Sequence, residues 1–212
     1  MSAKSVILSR IRSAQQIAGI DTNGVEIPRK YHRSSDMKRD DLRELLIDRL
    51  VDYKAHVIRS TTAELPQAIA DILADREAGT IVRAPGVAAE LTENAAANGV
   101  EILVDDTAKD PRYLNTVDGV ITWSTVSCAQ TGTICLQAGE SNGRRALTLV
   151  PDRHVCLVNM DTVVHGIPET LERLSPDSPV TWISGPSATS DIELIRVEGV
   201  HGPRDLIVIV ID

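Results

Sequence analysis

The sequence predicts an α/β fold, with an open mixed, largely parallel sheet flanked by helices and an N-terminal helical extension. Its 212 residues are 42% hydrophobic and 25% charged, a composition typical of a globular chain that buries a sizeable core. After His56, short apolar runs alternate with helical patterns, which indicates parallel strands joined by helical crossovers. The aliphatic run from Leu206 to Ile211 is typical of a fully buried strand.

The N-terminal third of the chain predicts two helices separated by a connector. Ile7, Ile11 and Ala14 recur at helical spacing within residues 3–18, and residues 19–35 are rich in turn formers. A stronger helical pattern follows over residues 36–55. We therefore expect an N-terminal helix and connector over residues 1–35 and a single α/β domain over residues 36–212.

The remaining elements follow from apolar periodicity and turn residues. Thr61 and Glu64 fit a capping box at the start of a helix that ends at Gly79, and a further helix is expected near 87–98. A third helix is expected near 168–174. Strands are predicted at 57–58, 80–82, 100–104, 120–123, 133–136, 146–150, 155–158, 180–184 and 206–211. The short links 138–144 and 151–153 suggest hairpins, so a mixed sheet is expected.

Charge and composition argue against several classes of function. The formal net charge is −8, the chain has no Phe, and only 2% of its residues are aromatic, so neither a basic surface nor base-stacking platforms for nucleic acid are expected. No apolar run approaches the roughly 20 residues that cross a bilayer, and no secretory signal is visible. We expect a cytoplasmic protein without a membrane span.

The cysteines and the known cofactor motifs give no sign of a metal or cofactor. Cys128, Cys135 and Cys156 form no C-x-x-C pair, no H-E-x-x-H motif is present, and a standard iron–sulfur cluster needs four cysteines. Phosphate-binding and dinucleotide-binding glycine motifs are also missing from the sequence. We expect three reduced thiols, no metal and no cofactor.

Two polar loops are candidates for binding a small anion. Thr131-Gly132-Thr133 precedes an apolar strand, and its backbone N–H groups could approach an anion, or it could be an ordinary strand-entry turn. Gly185, Ser187, Thr189 and Asp191 follow the strand 180–184, at the strand end where open α/β sheets bind ligands. The hydroxyls of this second loop could equally cap a short helix.

Two histidines and an arginine complete the candidate set. His201, within Gly199–Pro203, could act as a general acid or base, and His154 and Arg145 could supply further donors. The alternatives are a surface histidine and an exposed hairpin tip. If the loops meet at one sheet edge, they form one anion pocket, in which His201 transfers a proton and Asp191 orients a neighbouring donor. The ligand-binding candidates are Thr131, Gly132, Thr133, Arg145, His154, Gly185, Ser187 and Thr189.

Taken together, these loops resemble those of the LUD domain family. The most specific segments are Gly185-Pro186-Ser187 continuing to Asp191-Ile192-Glu193, and Gly199-Val200-His201-Gly202-Pro203, and the resemblance covers about residues 35–212. It implies a fold related to sugar-phosphate isomerases and coenzyme A transferases. It also implies a role beside two iron–sulfur partner proteins in oxidising L-lactate to pyruvate.

Two functional hypotheses follow from the residues and the resemblance. In the first, the chain is a subunit or auxiliary protein of a lactate-oxidising system and binds a small anionic ligand, while the iron–sulfur partners perform the redox chemistry. In the second, it is a stand-alone enzyme that acts on a small anionic or acyl substrate in the manner of a coenzyme A transferase or a sugar-phosphate isomerase.

Overall fold

The computed structural model describes residues 2–20, 27–189, 197–198 and 202–212. The chain divides into two compact units, Met1–Tyr31 and His32–Asp212. The first unit contains helix α1 (Ala3–Ile17), where the Ser2 hydroxyl accepts a hydrogen bond from the Ser5 N–H at 3.3 Å and no residue is buried. The predicted division at residue 35 stays a prediction.

The second unit contains the sheets and the remaining helices. Its described helices are α2 (Arg39–Asp52), α3 (Leu65–Asp75), α4 (Glu93–Ala97), α5 (Arg145–Leu149) and α6 (Ile167–Glu172), with 3₁₀ turns at Ala89–Thr92, Pro111–Thr116 and Met160–Thr162. Its described strands are β1 (His56–Ser60), β2 (Thr80–Arg83), β3 (Glu101–Val104), β4 (Gly119–Trp123), β5 (Val126–Cys128), β6 (Thr133–Gln137), β7 (Arg153–Asn159), β8 (Val163–Val164), β9 (Val180–Ile183), β10 (Ala188–Thr189), β11 (Val197–Glu198) and β12 (Asp205–Ile211).

Six of these strands form a parallel sheet in the order β1-β12-β7-β4-β2-β3. The aliphatic strand β12 lies between β1 and β7, and its residues from Leu206 to Ile211 are buried, as expected for a strand that is covered on both faces. The predicted α/β class with a largely parallel central sheet flanked by helices is therefore confirmed.

A second sheet packs on one face of the first. It has the order β8-β5-β6-β9 and mixes parallel with antiparallel pairs. Leu46 and Leu50 of α2 lie in one apolar cluster with Ile134 of β6 and Val208 of β12. Helix α3 contributes to a separate cluster on the other face of the parallel sheet. Burial of these aliphatic side chains, in a chain without Phe, is the main driving force for folding.

One predicted strand is wrong. Residues 146–150 were expected to be extended, but Arg145–Leu149 is helix α5, with Leu147 buried. A short apolar run has the same appearance in a buried strand and in a short buried helix. The two hairpins expected at 138–144 and 151–153 are consequently wrong as well, because each needed a strand at 146–150; the first link closes only through an isolated antiparallel bridge between Gly139 and Gly143.

The predicted pairing of Thr61 with Glu64 is present, but not as a capping box. The Thr61 hydroxyl lies 2.8 Å from the Glu64 carboxylate and accepts from the Glu64 N–H at 3.3 Å, whereas α3 begins at Leu65 with Glu64 as its N-cap and no side-chain capping bond. In the described part of the chain, no helix has the length and apolar character needed to cross a bilayer.

Candidate functional site

A cavity of about 260 Å³ lies at the amino ends of β7 and β12, two adjacent strands of the parallel sheet. His154 and Leu206, the second residues of β7 and β12, form part of its wall. The loop from Ser184 to Ala188 lines it from the side of β9, together with Gly202 and Pro203. The cavity therefore lies where the second sheet meets the amino ends of the first.

This position differs from the one that the sequence suggested. The loop at Gly185 does follow the carboxyl end of a strand, but that strand, β9, is an edge strand of the second sheet. Ligand sites at carboxyl strand ends are a rule for the open parallel sheet. Because β9 lies outside that sheet, the rule does not apply to its end.

His154 is the most deeply buried polar group of the cavity wall. Its exposed fraction is 1%, and its Nε2 lies 2.8 Å from the Thr122 hydroxyl of the neighbouring strand β4. Burial lowers the pKa of His154 from 6.5 to about 4, because an imidazolium ion loses its hydration in this position. The ring is therefore neutral at physiological pH.

Hydroxyl groups supply the other polar contacts of the wall. The Thr181 Oγ1 is buried and has no hydrogen-bond partner among the described residues. The Ser184 Oγ lies 2.8 Å from the Thr133 Oγ1, which in turn lies 2.8 Å from the Thr131 Oγ1. The predicted residues Thr131 and Thr133 thus connect to the cavity through Ser184 rather than lining it.

The two predicted glycines have a packing role beside α2. Gly132 has φ +59°, and a Cβ there would lie 2.7 Å from the Arg49 Cβ. Gly185 has φ +81°, and a Cβ there would lie 2.5 Å from the Tyr53 carbonyl oxygen. Both positions combine a left-handed backbone with a close approach to the end of α2, which only glycine tolerates.

The remaining predicted residues are distributed around this region. Arg145 is exposed at the start of α5 and lines a narrow crevice together with Thr148 and Thr181, which also line the cavity. The Ser187 N–H donates to the Pro203 carbonyl at 2.8 Å. Thr189 belongs to the short strand β10. Asp191 and His201, the predicted catalytic residues, lie outside the described residues.

The wall residues that the sequence did not identify as candidates include Thr181 and Thr148. Thr181 is a single hydroxyl within the apolar strand β9, and Thr148 lies in a segment expected to be a strand. Thr181 pairs in register with Leu136. An isolated polar residue within an apolar strand is the one sequence signal that could have marked Thr181.

Metal ligands do not cluster in the described ranges, where no group of three His, Cys, Asp or Glu side chains is placed to hold an ion. Cys128, Cys135 and Cys156 are buried and form no disulfide. Burial raises the pKa of Cys135 and of Cys156 to about 12, so these two groups are neutral thiols at physiological pH.

The fold and the cavity together define an α/β protein with a small, weakly polar cavity at the amino edge of a parallel sheet. The model of the LUD domain matches residues 43–211, and the chain belongs to this family. It is 40% identical over 186 residues to a protein named Lactate utilization protein C from Deinococcus radiodurans, covering 85% of this chain and 84% of that protein.

Further relatives agree with this assignment. A protein of the same name from Oceanobacillus iheyensis is 24% identical over 90% of this chain and 91% of its own length. The crystal structure of a DUF162 family protein from Deinococcus radiodurans aligns with a TM-score of 0.70 and 33% identity, covering 83% of this chain and 99% of that one.

Proposed function

We propose that this protein serves lactate utilization as a subunit that binds a small carboxylate in the cavity at the amino ends of β7 and β12. On this proposal the oxidation of L-lactate to pyruvate is carried out by iron–sulfur partner proteins in the cytoplasm. The names of the related proteins support the metabolic role, and the site supports the carboxylate.

The size of the cavity is the observation that carries the choice of ligand. A volume of about 260 Å³ lies just below the range of about 300–1,000 Å³ that accommodates drug-sized ligands. A hydroxy acid or keto acid of three carbons fits such a volume, whereas a dinucleotide does not. The described wall has hydroxyls and a neutral imidazole among apolar groups, a combination typical of small-molecule sites.

The predicted catalytic pair remains part of the proposal. Gly202 and Pro203 line the cavity and directly follow His201 in the sequence, which supports a role for that histidine near the ligand. We propose His201 as the proton-transfer group and Asp191 as the residue that orients a neighbouring donor. Arg145 lines the crevice that adjoins the cavity, and its positive charge would attract an anion.

Growth on L-lactate as sole carbon source tests the metabolic role. We expect a deletion strain of the native host to lose this growth and to recover it with the wild-type chain but not with His201→Ala. Growth on glucose is the control. Full growth on lactate of the deletion strain would contradict the proposal.

Co-purification and an exchange assay separate the two functional hypotheses. A tagged chain from lactate-grown cells should retain iron–sulfur proteins, while the purified chain alone should catalyse no acyl exchange between coenzyme A esters and carboxylates. Rapid exchange by the isolated chain would favour the stand-alone enzyme instead.

A further inference from the structure

The hydrogen bond between His154 and Thr122 links the direction of donation to the imidazole tautomer, because Thr122 can donate only to an unprotonated Nε2. A hydroxyl has one proton to donate, and the Thr122 Oγ1 lies 2.8 Å from the His154 Nε2. The Thr122 hydroxyl also neighbours the Cys156 sulfur, since the two residues are in register on β4 and β7. If Nε2 were the donor, the Thr122 proton would be left to the Cys156 sulfur, which is a weak acceptor. Donation from Thr122 to Nε2 is therefore favoured.

This arrangement places the imidazole proton on the other nitrogen. A neutral imidazole has one donor and one acceptor, and an Nε2 that accepts from Thr122 leaves Nδ1 as the N–H donor. Among the described residues, no hydrogen-bond partner of the His154 Nδ1 is found. Because His154 lines the cavity, Nδ1–H is the group that it can offer to a ligand.

Thr181 supplies a second donor on the opposite sheet. Within the described ranges its buried hydroxyl has no partner, and burial of an unsatisfied hydroxyl costs free energy until an acceptor arrives. Thr181 and His154 line the same cavity, one from β9 and the other from β7. The described wall contains no charged side chain, so these neutral donors define its polarity.

From this juxtaposition we infer that His154 Nδ1–H and Thr181 Oγ1–H together bind the carboxylate of a small monocarboxylic acid, and that Thr122 positions His154 by fixing its tautomer. The inference rests on the proposed function only for the identity of the natural ligand. Because both groups donate to the carboxylate, L-lactate, pyruvate and acetate should all bind. The neutral lactamide should not bind.

Nuclear magnetic resonance tests the tautomer directly. In protein labelled with ¹⁵N-histidine, long-range ¹H–¹⁵N correlations distinguish protonation at Nδ1 from protonation at Nε2, and His154→Asn assigns the signal. We expect an Nδ1–H imidazole in wild type and in Thr122→Ser, and a shift toward Nε2–H in Thr122→Val. An Nε2–H imidazole in the wild type would overturn the inference.

Calorimetry with sodium pyruvate, L-lactate, acetate and lactamide tests the carboxylate site. Thr181→Val should weaken carboxylate binding about tenfold, the size expected for one lost hydrogen bond to a charged group, while Thr181→Ser retains it. The urea midpoint of Thr181→Val without ligand should be unchanged or higher, because the substitution removes an unsatisfied hydroxyl.

Thr170→Val is the matched control. The Thr170 hydroxyl is likewise buried, but it donates to the Gly166 carbonyl at 3.0 Å and lies outside the cavity wall. This variant should lower the urea midpoint and leave binding unchanged. Equal binding by Thr181→Val and wild type, or equal binding of lactamide and lactate, would overturn the inference. The variants could show the expected carboxylate binding while the deletion strain still grows on lactate. That result would overturn the proposed function and leave this inference standing.

Discussion

The two ends of the parallel sheet differ in how they are filled. At the carboxyl end, the loop 138–144 crosses the strands: the Gly86 N–H donates to the Glu140 carbonyl at 2.8 Å and the Trp123 N–H to the Ser141 carbonyl at 3.0 Å. At the amino end, the cavity beside His154 is open to a ligand. The space for a ligand therefore depends on which end the connecting loops fill.

The same contrast appears in the ion pairs of the two ends. At the carboxyl end, Arg144 lies 3.1 Å from Asp105, whose side chain is 0% exposed and also accepts from the Tyr113 hydroxyl at 2.9 Å. At the amino end, Arg204 makes a bidentate pair with Asp152, with side chains 62% and 56% exposed. We expect the first pair to stabilise the fold and the second to contribute little.

Arg144→Met should have the largest effect. Removing the arginine leaves the Asp105 carboxylate buried without its counter-charge, which typically costs about 3–5 kcal/mol of unfolding free energy. Urea denaturation measures this loss, and Arg112→Met is the control, since its pair with Asp110 is exposed. If Arg144→Met instead lost pyruvate binding and kept normal stability, the ligand site would lie at the carboxyl end of the sheet.

Gly185→Ala should have the next largest effect. The substitution forces a Cβ into contact with the Tyr53 carbonyl and requires a left-handed backbone, so we expect a loss of about 3 kcal/mol. Gly99→Ala separates the two causes, because Gly99 has φ +93° and no atom within 4 Å of the added Cβ. Its expected cost is about 1 kcal/mol. Equal losses would show that contact with α2 does not constrain the cavity loop.

Acidification should destabilise the amino end through His154. The unfolded histidine, with a pKa of 6.5, binds a proton before the folded one does, since burial lowers the pKa of His154 to about 4. Stability therefore falls as pH decreases from 6.5 toward 4 and is fully present above 6.5. We expect about 2 kcal/mol less stability at pH 5 than at pH 8 from this group.

Urea denaturation across this pH range, in wild type and in His154→Asn, isolates the contribution of the histidine. The asparagine variant should lack that part of the pH dependence, while the exposed carboxylates contribute equally to both proteins. Parallel curves for the two proteins would mean that His154 is accessible to water in the folded state.

Arg204→Met should have the smallest effect. The pair with Asp152 is bidentate, but solvent screens both exposed groups, so no measurable change in the urea midpoint is expected. Asp152→Asn provides the reciprocal test. A loss comparable to that of Arg144→Met would remove the distinction between the two ends.

The fold could largely be predicted because its signals are local. The alternation after His56, the pairing of Thr61 with Glu64 and the aliphatic run of β12 all reflect periodicity or hydrogen bonding within a few residues. The segment Arg145–Leu149 could not be assigned in this way, because five residues are too few to separate helical from extended periodicity.

The site was less accessible to sequence reasoning, because its position depends on which sheet each strand joins. β9 has the sequence of an apolar strand, and nothing within it indicates pairing with β6 instead of β12. The meeting of His154 with Thr181 also requires the packing of two sheets. Predicted ligand residues such as Gly132 have a local signature that packing against α2 explains equally well.

The scarcity of aromatic residues gives each end of the sheet its own optical reporter. The chain has two tryptophans: Trp182 lines the cavity with 40% of its surface exposed, and Trp123 ends β4, where its backbone contacts the loop 138–144. Intrinsic fluorescence of the Trp123→Tyr variant would therefore come mainly from the cavity, and that of Trp182→Tyr from the opposite end. Ligand entry and local unfolding can be followed separately without an added label.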